Sequence, residues 1–540
     1  MKGVYKMKKI NKYVLGAAAF CMTSLTGCIE ETQPTDIATE EQVAKSASAT
    51  EAMTLGLPSR LNLLWNEDDG HCYFGYPAEM IVRDMMTGDY MHAGETGYSH
   101  FISWARNKNM GDSWLKTQFH WNYYYGSVMT ANGVIGAVDE SVATPDQLAY
   151  KGVGLAYRAL FYLDLARMYE FLPNDKFTTN ADKVDVTNKT VPIVTDVTSA
   201  EEAANNPRAS RDSMAVFIEN DLNDAERLIV NLENTSGNTL PDLACVYGLK
   251  ARLYMWLEDY AKAQEYARKA IDASTVSPIS QSKALDLKTG YNTATDFMWA
   301  GQQTSEDRSV TSGIINWTSW VSNQTSFGYT GASTALYTYI DKRMYERIGD
   351  TDWRKLQWVA PDGSALKEQN KFITKDDAEN IPAYASLKFR PAEGEADEYS
   401  TGASSAYPVM RVEEMYFIEA EAAEHVAAGT GVELLQKFMT SYRDPKYTFS
   451  GSDAIDEIVF QKRVELWGEG QTFFDIKRLN MSVTRGYAGT NWQDVQCRLN
   501  TNGRPAWMNF VMVRSEANNN KALVANNNPD PTDCYDPWTE

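Results

Sequence analysis

Histidine is nearly missing from this chain: five occur in 540 residues, at 71, 92, 100, 120 and 425. None shows the spacing that brings a pair of rings onto one metal ion. Cysteine is almost as rare, with six. Cys72, Cys245, Cys497 and Cys534 are too dispersed for a zinc site. Cys497 and Cys534 could close a disulfide outside the cell or stay reduced. Cationic residues are in deficit, 51 against 72 acids, for a net charge of −21. A surface this acidic repels phosphate backbones, and no basic stripe offsets it, so nucleic acid is excluded as a partner. No run of about eighteen apolar residues is present, so nothing spans a bilayer. Nucleotide and nucleophile motifs are missing as well. Gly152-Val153-Gly154 lacks a third glycine and sits inside a helical pattern. Asn66 to Gly70 imitates a calcium loop, but its glycine comes one residue early and Pro77 stands where the bidentate acid belongs. No Gly-x-Ser-x-Gly elbow occurs. The expectation is a protein without catalytic residues, metal or cofactor.

What the chain does have begins at its N-terminus. Lys2, Lys6, Lys8, Lys9 and Lys12 form a basic head, followed by a mostly apolar stretch from Val14 to Met22. That stretch is too short to span a membrane and has the pattern of an export signal. Leu25-Thr26-Gly27-Cys28 then resembles the lipobox of bacterial lipoproteins, which implies cleavage after residue 27 and lipidation of Cys28. Removing residues 1–27 takes away five lysines and no acid, so the charge deepens by five. Each buried methylene contributes about 0.8 kcal/mol, so two or three acyl chains make a stable tether where one does not. Residues 28–50 are polar and small, and are expected to be a flexible leash.

The rest reads as one domain, residues 51–540, mostly α-helical. Asp146 to Phe171 carries Leu155, Leu160, Leu163 and Tyr169 at helical spacing and is closed by Pro173. Trp121–Val134 and Ser213–Asn231 also read as helices. Ala251, Tyr254, Ala263, Ala267 and Ala270 resemble the small/large pattern of a tetratricopeptide repeat. Alanines let two antiparallel helices approach, and Tyr254 fills the space between them. One such hairpin cannot bury its own apolar face, so others must stack on it. The expected scaffold is therefore tetratricopeptide-repeat-like, over about 114–270 and 409–480. Between about 274 and 408 periodicity fades into Gly, Ser, Thr, Asn and Trp: a long loop-rich, partly β insertion of the kind that carries function.

Several blocks are similar to the SusD/RagB family of outer-membrane nutrient-binding lipoproteins. They are Tyr157-Arg158-Ala159-Leu160, Arg411 to Ala422, Lys462-Arg463, Glu465-Leu466, Gly468-Glu469-Gly470 and Phe474 to Arg478. Gln461 departs from the family, which usually has an acid there, and Lys462 is also unusual. Glu30 and Glu31 resemble the surface-export signal of lipoproteins of this group. The resemblance implies a SusD-like fold and a non-catalytic, lipid-anchored protein on the extracellular face of the outer membrane. It implies binding of an oligosaccharide and delivery to a SusC-like TonB-dependent transporter, which the protein would cap as a lid. By position, it also implies ligand contacts in two stretches. One contains Asp89, Tyr90, Tyr98 and Trp104; the other contains Trp317, Trp320, Asn323 and Tyr329. Aromatic rings can take the apolar face of a sugar while amides and carboxylates take its hydroxyls. Trp317 and Trp320 stand among residues that look too polar for a core, which marks them as an exposed ledge.

Two other readings remain. A peptide-binding member of the same family would rely on backbone hydrogen bonds and a less aromatic cavity. A surface glycoside hydrolase would need two carboxylates facing each other across a cleft. Glu465 and Glu469 lie one turn apart on one helix, and with Asp475, Lys477 and Arg478 they read as scaffold pairs.

Overall fold

The computed structural model describes residues 47–65, 71–92, 100–331, 334–493 and 498–539. The expected signal, Cys28, Tyr98, Cys497 and the calcium-like loop therefore lie outside the described residues. Residues 47–50, expected to belong to the leash, instead form the first turn of helix α1 (Ala47–Leu61).

The fold is mostly helical. The longer helices after α1 are α2 (Tyr76–Met85), α3 (Leu115–Gly136), α4 (Pro145–Tyr169), α5 (Arg211–Leu228), α6 (Leu243–Leu257) and α7 (Tyr260–Ala273). Past the insertion come α8 (Val412–Val426), α9 (Thr430–Tyr442), α10 (Ala454–Glu465) and α11 (Thr472–Arg478). From α3 to α9 each helix packs on the next, and α8 packs directly on α7 although more than a hundred residues separate them. The insertion thus loops out of a continuous helical stack.

Local chemistry sets these elements. Thr144 and Gln147 make reciprocal capping bonds at the start of α4, with Pro145 in the first turn. Asp242 and Asp259 cap α6 and α7. Ala251, Tyr254, Ala263, Ala267 and Ala270 are all buried, so the small/large spacing marks the α6–α7 seam as expected. Gly152 is a closer approach still. A Cβ there would lie 2.9 Å from the backbone nitrogen of Ile229, so the glycine is what lets α4 meet the end of α5.

The β structure is sparse. Three antiparallel pairs occur among the described residues: β1 (Tyr90–His92) with β3 (Thr338–Ile340), β2 (Trp299–Gln302) with β4 (Ala406–Met410), and β5 (Leu499–Asn500) with β6 (Asp536–Pro537). The first ties the insertion to the N-terminal part of the chain, and the second pairs a strand inside the insertion with the one at its end. Tyr90 faces Ile340, and Gly301 faces Tyr407. A side chain at Gly301 would enter the Tyr407 ring, whose hydroxyl donates to the Asn62 side-chain carbonyl at 2.8 Å.

Candidate functional site

The stretch from Asn316 to Thr330 begins with a short helix, Trp317–Val321, capped by the Asn316 side chain. Its polar residues are not solvated. The Asn323 amide donates to the Thr338 and Ser386 carbonyls, both at 2.9 Å, and accepts from the Thr338 amide. Thr330 donates to Ser322 O, and Thr318 shares a hydrogen bond with Ser405. Because these groups satisfy one another, the segment closes into a buried polar knot rather than a wet loop.

That knot overturns the exposed ledge. Trp317 is 2 % exposed and Trp320 is fully buried. Trp317 packs on Phe389 and Tyr407. Trp320 packs edge-on to Phe101, and its indole N–H donates to His71 O at 3.0 Å. Asn323 is buried too. Tyr329 differs: it is part-buried, and its ring lies parallel to Trp320 at 4.3 Å and 13°. His71 sits beside it, with ring centroids 5.3 Å apart. Trp320 is thus the backing of a two-ring stack, and Tyr329 is its accessible member.

The first predicted stretch is also structural where it is described. The Asp89 carboxylate is clamped by both arms of the Arg463 guanidinium, one at 2.9 Å, and its carbonyl accepts from Trp467 Nε1 at 2.8 Å. Tyr90 is buried against Trp467. Trp104 is buried against His120 and Phe510, with its N–H donated to Asn109 O. None of these three presents a free face. Arg463, Trp467 and Phe510, which close over them, lie hundreds of residues away, which is why spacing alone placed these side chains on a surface.

Glu465 and Glu469 are scaffold, but they do not share a helix as expected: α10 ends at Glu465, and Glu469 lies in the turn that follows. Glu465 receives Arg411 at 2.5 Å, Arg443 at 2.7 and 2.9 Å, and Arg354 at 3.2 Å. Glu469 receives Arg411 at 2.6 Å and Lys388 at 2.7 Å. All are buried, so neither carboxylate faces a cleft. Asp475 bridges Lys462 and Arg478. At the two departures from the family pattern, Gln461 accepts from Arg354, and Lys462 holds Asp475 at 2.8 Å.

A concave site that sequence spacing missed lies between the insertion and the end of α9. This cleft encloses about 690 Å³ and is lined by Trp353, Leu356, Gln369, Gln281, Asp350 and Tyr442, among others. Its volume falls in the range of small-molecule pockets. Trp353 forms the wall, its N–H donated to Tyr442 O at 2.7 Å, while Tyr442 is 38 % exposed at the edge. The available signal was Asp350-Thr351-Asp352-Trp353, an indole in an acidic run of the insertion.

Near the predicted face, Asp84 is buried and its carboxyl is pushed up to about 8, first by burial and then by Asp89, against a hydrogen bond from Gly470 N at 2.8 Å. The folded state therefore holds a proton that the unfolded chain has released above 3.8. Its contribution is present at low pH and is lost as pH rises toward 8. Asp84→Asn is expected to match the wild type in thermal midpoint near pH 4 and to exceed it at pH 8 by about 2 °C or more. A constant difference across that range would contradict this assignment.

Residues 256–533 match the profile of the SusD family, and residues 77–255 match one described as starch-binding associating with outer membrane. No curated protein sequence matches the chain. Among solved structures, a SusD-like carbohydrate binding protein from Bacteroides vulgatus superposes with a TM-score of 0.67 at 22 % identity, covering 90 % of this chain and 98 % of that one. A SusD superfamily protein from Bacteroides thetaiotaomicron gives 0.66 at 15 % identity, covering 88 % and 98 %. Surface glycan-binding protein A from Bacteroides uniformis gives 0.62 at 15 % identity, covering 89 % and 99 %. At these identities the structures share the fold.

Proposed function

The chain belongs to the SusD family, and on that footing we propose that it is a surface-exposed, non-catalytic oligosaccharide-binding lipoprotein, anchored through Cys28, that delivers its ligand to a SusC-like TonB-dependent transporter. The observation that carries the binding reading is the parallel stack of Tyr329 on Trp320. A ring already held flat by a buried indole loses little freedom when a sugar settles on it. The tether keeps the protein near the barrel when the pair is open, which raises its effective concentration there. Ligand touching both partners would favour the closed state.

The cleft beside Trp353 and Tyr442 supports a second reading, in which the ring platform there takes the ligand. Calorimetric titration of a glycan panel and a peptide panel into the chain without its acyl anchor separates the cases. Tyr329→Ala is expected to weaken glycan binding at least tenfold, about 1.4 kcal/mol, and to lower the unfolding midpoint by no more than the loss of one part-buried ring stack. Tyr442→Ala is expected to leave binding unchanged. The reverse pattern moves the site to the cleft. Peptide binding without glycan binding, or turnover abolished by a single carboxylate change, overturns the proposal.

A further inference from the structure

A second cavity, of about 100 Å³, lies inside the helical scaffold, between α6, the end of α4 and α11. It is small, and its lining is strongly cationic: seven Arg and Lys side chains against four carboxylates. Asp164 and Glu421 reach two of those arginines from behind the wall, and the cations still outnumber the acids.

The lining carboxylates are already engaged, apart from Glu258 at the exposed rim. Glu414 is taken by two nitrogens of Arg252, at 2.7 and 2.6 Å. Asp475 is shared by Lys462 and Arg478. Glu170 accepts from Trp256 Nε1 at 2.8 Å and from Arg211 at 3.3 Å. Donors, by contrast, are left over. Arg252 Nη1, Arg478 Nη1 and Arg504 Nε are buried without a hydrogen-bond partner. Arg252 and Arg478 are more than nine-tenths buried, and both line the cavity. A buried guanidinium N–H left unmade costs the full desolvation of that group, so three around one void call for an acceptor. Lys477 brings no free donor, since its side-chain nitrogen already donates to the carbonyls of Arg167, Met168 and Glu170 at 2.8 to 2.9 Å. Burial, together with the neighbouring Arg504, Arg208 and Arg211, pulls that ammonium well below its usual value.

We infer that this cavity is a binding site for a small oxyanion, held by Arg252 and Arg478 from the scaffold and by Arg504 at its mouth. Each guanidinium would offer the nitrogen that its own partners leave unused, as a charge-assisted donor to phosphate, sulfate or carboxylate. The site is independent of the glycan platform, because it shares no residue with Tyr329 or with the Trp353 cleft. It joins residues of the two profile-matched segments, Arg252 from the first and Arg478 and Arg504 from the second.

The test is titration of inorganic phosphate, sulfate and acetate against chloride at matched ionic strength, read by thermal midpoint and calorimetry. Concentrations stay at about 10 mM or below, so that general salting effects do not contribute. Phosphate or sulfate, or acetate if the natural occupant is a carboxylate, is expected to raise the midpoint where chloride does not. Arg504→Gln, at the partly exposed mouth, is expected to weaken that binding at least tenfold. Crystals grown with selenate in place of sulfate are expected to show an anomalous peak between Arg252 and Arg478. Equal midpoints in all four salts, or undiminished binding in Arg504→Gln, overturns the inference. Should Arg504→Gln fail to fold, the selenate crystal decides it, and a cavity holding only water is the negative result.

Discussion

Glu465→Ala is expected to destabilise the protein by about 3–5 kcal/mol, the range for removing one partner of a buried charge cluster. Three guanidinium groups, those of Arg354, Arg411 and Arg443, converge on this carboxylate in a fully buried setting. Deleting it leaves positive charges facing one another with their shared partner gone. Arg354 keeps Asp352, and Arg411 and Arg443 keep Glu413, so the stack should loosen without complete collapse. Burial alone would push the Glu465 carboxyl up, but Arg443, Arg411 and Arg354 hold it well below the usual carboxylate range. Because the folded value is depressed, this stabilisation is present above the unfolded value and is lost only as pH falls through the folded one. It is therefore complete at neutral pH. Urea unfolding at pH 7 measures the effect, and a loss below about 1 kcal/mol would place the cluster among ion pairs of little consequence. Glu465→Gln, which preserves shape and one acceptor oxygen but turns an NH2 donor toward the arginines, should fall in between.

Trp320→Ala is expected to cost about 3–5 kcal/mol of stability and to abolish ligand binding together with it. The indole is fully buried, touches Phe101 and His92, and donates to His71 O. Alanine empties that volume and removes the surface on which Tyr329 lies. Trp320→Phe separates the two effects. It keeps a flat apolar partner beneath Tyr329 but loses the hydrogen bond and part of the packed volume, so binding should persist within a few-fold while stability falls by about 1–3 kcal/mol. If Trp320→Ala retained wild-type affinity at a temperature where it is folded, the stack would have no role in recognition. The contrast with Tyr329→Ala matters here. Loss of binding in a Trp320 variant says little about direct contact, because the ring is an internal support.

The helical scaffold was legible because its signals are local. Spacing within α4, and the alanine pattern across α6 and α7, depend on neighbours a few residues away. The structure puts the helix read as Asp146–Phe171 at Pro145–Tyr169. The site was less legible because its determinants are distant. Asn323 looks like a loop residue until Ser386, 63 positions later, supplies an acceptor. Asp89 looks available for ligand until Arg463, 374 positions later, closes on it. A polar stretch with internal partners and a polar stretch open to water have the same composition. Position along the chain therefore singled out a stretch, while which of its rings is exposed had to be read from packing.

The charge cluster around Glu465 has a mechanical corollary. Arg354 and Lys388 come from the loop-rich excursion, and Arg411, Arg443, Glu465 and Glu469 come from the ends of the last helices or the links between them. Sliding one part past the other would strip several charges at once, with no water at hand to receive them. Such a molecule cannot flex along an internal seam at moderate cost. If the proposed function holds, a swing that accompanies ligand capture would carry Tyr329 and the helices together rather than bend the molecule along this seam.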